Sequence, residues 1–175
     1  MSVGFLPRAD PDLPLAQVRA FLDHEAEILD DTSRIREWHE LLTDDFVYQV
    51  PIRVRRNTQS KEPAFPPGSL LMYETRATIE RRARRLETGL AYGEEPPALL
   101  RRVIGGVRAH RTGEHEFGVR SSFLLYHNRN TVDGEIVAGE RQDTIRFVDG
   151  RMFLAARLVH LDHLVVPTQN ITFFL

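Results

Sequence analysis

From residue 98 to residue 163 the sequence runs through four stretches in which apolar and polar residues alternate: "ALLRRVIGGVRAHR", "EFGVRSSFLLYHNRN", "EIVAGERQDTIRFV" and "RMFLAARLVHLDH". A period of two places successive side chains on opposite faces of a strand. In the second stretch it sets Val119, Ser121, Phe123, Leu125 and His127 on one face and Arg120, Ser122, Leu124 and Tyr126 on the other. Asp149-Gly150 joins the last two stretches as a hairpin turn. Gly105-Gly106 interrupts the first as a bulge or bend. Four long strands in series form an antiparallel run, and a glycine bend lets such a sheet curl.

The first half has helical spacing. Leu15, Val18, Phe21, Leu22, Glu25, Ile28 and Leu29 lie on one stripe of a helix over about 15–30, with Glu25 inside that stripe and His24 opposite it. "DDTS" predicts a stop and a new start, with Ser33 as N-cap and Glu37 in the first turn. Ile35, Trp38, Leu41 and Leu42 give the second helix its buried face. "FVYQVPIRV" predicts a strand with Phe46, Tyr48, Val50 and Ile52 on one side. Residues 56–69, with three prolines, predict a long loop, and residues 72–88 a helix carrying "ERRARR". "GLAYGEEPP" predicts another loop. Helices segregated from a curled meander make an α+β domain. The expected shape is a cone, a curved antiparallel sheet wrapped around the N-terminal helices in the manner of a cystatin-like α+β barrel, with a cavity inside. Residues 1–14 are expected as an N-terminal arm and 15–175 as a single domain.

Composition restricts the chemistry. There is no cysteine, which excludes disulfides and thiolate metal sites; a Rieske centre, needing two cysteines, cannot be held by this chain alone. Net charge is −2, and "ERRARR" has no interleaved aromatics, so nucleic acid is not an expected partner. That cluster reads as a solvated face or a salt-bridged subunit contact. The basic residues are 22 arginines and one lysine, Lys61, a bias suited to bidentate pairing with carboxylates at interfaces. The start, "MSVGFLPRADPDLPL", does not read as a signal peptide, and no apolar run reaches the length of a membrane helix. A cytoplasmic protein without a membrane partner is expected.

Several clusters resemble sites. His160, Asp162 and His163 suggest the two histidines and carboxylate of a non-haem iron site. On a strand, however, residues three apart point to opposite faces, so His160 and His163 are not expected to share an ion. His24, Glu25 and Glu27 lack the second histidine of a zinc-protease helix. His39, Glu40, Asp44 and Asp45 sit where a helix gives way to a strand, a place for turn-making side chains. Tyr48, His127, Asp143 and His160 are the candidate acid–base groups of a cavity. Arg141 shares a strand face with Asp143 and is its expected partner. No catalytic, cofactor-binding or metal residue is assigned on these grounds. The final Phe173, Phe174 and Leu175 are expected to pack in the sheet or against a neighbouring chain.

Taken together, "FLDHEAEILDDTSRIREWHELLTDDFVYQVPIRVRR", "VRSSFLLYHNR", "GERQDTIRF" and "RLVHLDHLVVPTQNITFFL" resemble, in order and spacing, the small (beta) subunits of aromatic-ring-hydroxylating dioxygenases. The similarity runs from about residue 15 to 175. It implies a cone-shaped α+β fold like that of nuclear transport factor two and scytalone dehydratase. It implies a hexamer in which a homotrimer of this chain lies beneath three catalytic alpha subunits. The Rieske iron–sulfur cluster and the mononuclear iron then belong to the alpha subunit, with none in this chain. The implied role is structural, in an oxidoreductase complex for aromatic hydrocarbon catabolism. The chain departs from the family at Arg101-Arg102 and Gly105-Gly106, where an Arg-His pair and an Asn are usual. It departs again at Gly139-Glu140-Arg141-Gln142-Asp143 and in lacking a tryptophan late in the last strand. Two other readings stay open: a stand-alone dehydratase, isomerase or cyclase with a cavity acid or base, and a non-catalytic ligand-binding protein of the same fold.

Overall fold

The structure, a computed structural model, describes residues 14–55, 59–88, 97–129, 134–167 and 171–175. Of the expected N-terminal arm only Pro14 falls within them. All but the last residue of the "GLAYGEEPP" loop, and residues 56–58 of the 56–69 loop, also lie outside the described residues.

The elements are α1 (Leu15–Leu29), a 3-10 turn (Thr32–Arg34), α2 (Ile35–Glu40), β1 (Leu42–Pro51), β2 (Leu70–Thr75), α3 (Arg76–Glu87), β3 (Leu99–Gly113), β4 (Glu116–Asn128), β5 (Glu135–Val148) and β6 (Arg151–Leu161). The strands form one sheet in the order β2-β1-β6-β5-β4-β3. The sheet is unclosed, with β2 and β3 at its edges. β3 to β6 are the antiparallel meander that alternation predicts. β1 departs from it by pairing parallel to β6, so the sheet is mixed at that seam. The long connection through β2, α3 and β3–β5 makes a parallel return possible where a hairpin could not.

Turn chemistry sets the register. Asp149 and Gly150 have φ of 51° and 76°, the double left-handed conformation of a type I′ turn. β3 shifts register between Gly105 and Arg108, with Gly106 at φ 61°, so the glycine pair is a bulge that bends β3 over α1.

Three local readings change. Residues 72–75 are strand, not helix. Thr75 starts α3 with a capping box, its side chain taking the Thr78 N–H while the Thr78 hydroxyl takes the Thr75 N–H. Ser33 does not cap α2; Asp31 caps the preceding turn by accepting from the Ser33 N–H at 2.9 Å. Ile52 lies beyond the end of β1, after a register shift at Val50/Pro51, and is exposed rather than part of the inner face.

Helices cover one face of the sheet: α1 packs on β3, α3 against β1 and β2, and α2 between the two helices. The inner face carries Phe46, Tyr48 and Val50 of β1 and Val119, Phe123 and Leu125 of β4, with Val137 and Ile145 of β5 and Leu154, Val159 and Leu161 of β6. α1 presents Val18, Leu22, Ile28 and Leu29, and Trp38 fills the space beneath α2. Surface arginines are largely tied. Arg36 binds Glu80 and Glu87 on α3, Arg84 binds Glu80, Arg146 spans Asp45 and Glu116, and Arg76 holds Asp44. The "ERRARR" helix face is therefore threaded with ion pairs.

Candidate functional site: the interior of the curled sheet

The inner face of the sheet carries a row of polar residues. Register places Ser121 of β4 opposite Arg141 of β5, Asp143 of β5 opposite Arg157 of β6, and Arg157 beside Tyr48 of β1. α1 adds Glu25 from above. Each of these residues is almost wholly removed from solvent.

Arg157 is the centre of the row. Its Nε and Nη2 donate to the Asp143 carboxylate at 2.8 and 2.9 Å, and its Nη1 and Nη2 donate to Glu25 at 2.9 and 2.6 Å. Trp38 Nε1 donates to Glu25 at 2.8 Å. Burial opposes the charge on Glu25, yet the Arg157 and Arg141 guanidiniums, with hydrogen bonds from Arg157 and Trp38, hold its carboxyl below the usual range. Burial likewise works against Arg157, but Asp143 and Glu25 overcome it and keep the guanidinium protonated. A bidentate guanidinium between two carboxylates satisfies the geometry that makes a buried ion pair tolerable.

Arg141 differs. It lies fully buried, 3.9 Å from Glu25 and 5.1 Å over the Phe123 ring. Among the described residues none of its Nε, Nη1 or Nη2 groups has a hydrogen-bond acceptor. Burial and the like charge of Arg157 push its pKa down to about 9, with Glu25 opposing, so it stays charged at neutral pH. The expected Arg141–Asp143 pair is not made; side chains two apart on one strand stand side by side, whereas Arg157 faces Asp143 directly across the ladder.

The last residues of the chain close the interior. Phe173, Phe174 and Leu175 are all buried. Phe174 lies 4.4 Å from the Trp38 ring and 5.5 Å edge-on to Tyr48, with the Arg82 guanidinium 4.7 Å over its face. Arg102 donates to the Phe174 carbonyl at 2.5 Å and to Asp30 at 2.7 Å. The Leu175 N–H donates to the Tyr48 hydroxyl at 2.9 Å. Phe173 packs 4.9 Å from the His127 ring.

These contacts account for the candidate acid–base groups. Tyr48 is engaged by Leu175, and burial raises its pKa. Asp143 is held by Arg157. His127 faces Phe173 and lies 3.4 Å from Glu135. His160 does not face the interior: it sits on the outer side of β6, stacked 4.2 Å from Phe65. Burial lowers its pKa, with Glu140 opposing. Three of the four thus lie inside; Tyr48 and Asp143 are close together on either side of Arg157, whereas His127 sits at the far end of β4. The two residues that organise the interior, Glu25 and Arg157, were not expected to do so. Their signals are an acidic residue inside an apolar helical stripe and an arginine at a core position of a strand.

His160, Asp162 and His163 do not form a metal site. Asp162 binds Arg53 at 3.1 Å, and His163, beyond the end of β6, accepts from the Ala138 N–H at 3.1 Å. Among the described residues no group of three or more His, Asp or Glu side chains is arranged to hold a metal ion. His24 and Glu27 lie exposed on α1. His39, 3.5 Å from Glu80, is pushed down by burial and by Arg76. Glu40 is exposed, and Asp44 and Asp45 serve the ion pairs above.

Comparison with known proteins agrees with this architecture. The structure of naphthalene 1,2-dioxygenase with indole bound in the active site matches with a TM-score of 0.77 at 22% identity, over 92% of this chain and 85% of that one. The beta subunit of a putative aromatic-ring-hydroxylating dioxygenase from Novosphingobium aromaticivorans DSM 12444 gives 0.70 at 22%, over 91% and 96%. A putative scytalone dehydratase from the same organism gives 0.57 at 18%, over 85% and 86%, which places the fold among the cone-shaped α+β proteins. Residues 24–168 match the family described as "Ring hydroxylating beta subunit". The chain therefore belongs to the beta-subunit family of the ring-hydroxylating dioxygenases.

Proposed function

We propose that this chain is the structural subunit of a Rieske non-haem iron dioxygenase that hydroxylates aromatic rings in the cytoplasm. It forms a homotrimer that carries three catalytic alpha subunits in a hexamer. The Rieske cluster and the mononuclear iron reside in the alpha subunit. This chain's donor set does not suit either group, for it has no cysteine and its described residues bring no ligand cluster together.

The observation that carries this division of labour is the closure of the interior. Cone-shaped folds can act on substrates in a central cavity, but here Phe173, Phe174 and Leu175 occupy that space. Tyr48 is hydrogen-bonded to the tail, Asp143 is held by Arg157, and His127 packs against Phe173. A general base needs a proton within reach of it, and Tyr48 and Asp143 are almost wholly buried and already hydrogen-bonded within the chain. A stand-alone dehydratase or isomerase is accordingly disfavoured.

Light scattering of the isolated protein tests the reading. A particle three times the 20.1 kDa of the chain is expected. A stable monomer that turns over a substrate without a partner would overturn it.

A further inference from the structure

The tail is bound as a ligand would be. An aromatic ring, Phe174, lies among Trp38, Tyr48 and the Arg82 guanidinium. Two polar anchors, Arg102 and Tyr48, grip the backbone on either side of its peptide link to Leu175. The outer flank of the segment lines a groove with Asp31, Thr32, Ile35, Arg82 and Leu86, and Asp31 is exposed. Thr172, Phe173 and Phe174 thus form one wall of a small groove on the helix side of the sheet.

Beneath it the chemistry is unfinished. Arg157 lies beside Tyr48 in the β1–β6 register, Arg102 donates to the Phe174 carbonyl, and Arg141 lies 3.9 Å from the Glu25 that Arg157 holds, so residues 174–175 sit next to buried cationic groups. Arg157 is saturated by two carboxylates. Arg141 is wholly buried, and among the described residues its three N–H-bearing nitrogens have no acceptor; the Ser121 hydroxyl opposite it is likewise unpartnered. Native interiors seldom leave such groups unpaired, because each costs about 1–3 kcal/mol, more for a charged group. Displacing the tail would also free Arg102 Nη2 and the Tyr48 hydroxyl, which donates to the Leu175 carbonyl at 3.5 Å, as donors.

We propose that the interior of the sheet is a binding site for an aromatic carboxylate, kept closed by residues 173–175 acting as an internal ligand. The ring takes the place of Phe174 between Trp38 and Tyr48. The carboxylate accepts from Arg141, with Tyr48 and Arg102 as the flanking donors. The inference goes beyond the assembly role and does not depend on it, since it concerns the isolated chain.

The test compares the full chain with a variant ending at residue 170, using benzoate, the uncharged isostere benzamide and the pentapeptide Ile-Thr-Phe-Phe-Leu as probes. In thermal-shift and calorimetric titrations, benzoate and the peptide raise the Tm of the shortened chain and compete with each other, and the full chain responds to neither. Benzamide binds the shortened chain more weakly than benzoate. Arg141→Met in the shortened chain weakens benzoate binding by about tenfold or more, the loss of charge-assisted hydrogen bonds. In the full chain the same substitution takes away one of the two guanidiniums facing buried Glu25, so the Tm falls there as well, and benzoate binding is read as the ligand-induced shift above each variant's own baseline. A shortened chain that folds and ignores both benzoate and the peptide overturns the proposal, as does benzoate binding indifferent to Arg141→Met. If the shortened chain does not fold, Phe174→Ala in the full chain decides: benzoate raises its Tm above the wild-type response, and equal responses overturn the proposal. The oligomeric state and partner binding are separate readouts, so failure here leaves the assembly reading standing.

Discussion

Tyr48 and Leu175 are 127 positions apart in the chain, yet the Leu175 N–H donates to the Tyr48 hydroxyl at 2.9 Å in a fully buried setting. This bond ties the end of the chain to β1 and fixes the tail across the interior. Tyr48→Phe leaves a buried N–H without an acceptor, at a cost of about 1–3 kcal/mol. Urea denaturation reads the loss. Hydrogen exchange locates it, with the Leu175 amide losing protection while the amides of β4 and β5 keep theirs.

Arg157 holds two buried carboxylates at once. Arg157→Met strands Asp143 without its partner and leaves Glu25 with only Arg141 and Trp38, and unfolding free energy falls by about 3–5 kcal/mol. Adding Asp143→Asn removes the stranded carboxylate and leaves Glu25 opposite Arg141, so the double variant is more stable than Arg157→Met alone. A double variant no better than the single would show that packing, not charge, is what Arg157 supplies.

Glu25 also sets an acid limit. Its folded pKa is depressed below the ordinary 4.5, so below that value the unfolded chain binds more protons than the folded one. Its contribution is complete above about pH 4.5 and is lost as pH falls through the folded value. Unfolding free energy measured from pH 7 to pH 3 falls more steeply in the wild type than in Glu25→Gln at the acid end. Parallel curves would remove Glu25 from the account.

Much of the fold was legible because the meander is local. The residues of β5 could be read to both ends from alternation, and the turn from Asp149-Gly150, since period and turn chemistry are properties of neighbouring residues. β2 was not legible. "MYET" precedes a helix start whose Thr75–Thr78 capping box lies inside the same run, and four residues are too few to show a period. The parallel β1–β6 seam leaves no local mark. The site was half legible for the same reason. Tyr48, His127 and Asp143 could be placed on the inner face by parity alone. That Glu25 meets Arg157, 132 positions away, is decided by how α1 crosses the sheet. The occupation of the interior by residues 173–175 also depends on the finished fold.

The type I′ turn is a clean test of backbone strain. A Cβ on Gly150 meets nothing within 4 Å, so only its φ of 76° matters. Gly150→Ala lowers stability by about 1–2 kcal/mol by thermal or chemical denaturation, without altering the oligomeric state. A neutral effect would mean that the turn relaxes freely.

Native mass spectrometry of this chain co-expressed with a Rieske-bearing alpha subunit tests the central claim most directly. The account predicts one complex containing three copies of each chain, with all iron leaving with the alpha subunit when the complex is dissociated. Recovery of this chain alone as a 20.1 kDa species, or with iron bound to it, would contradict the account.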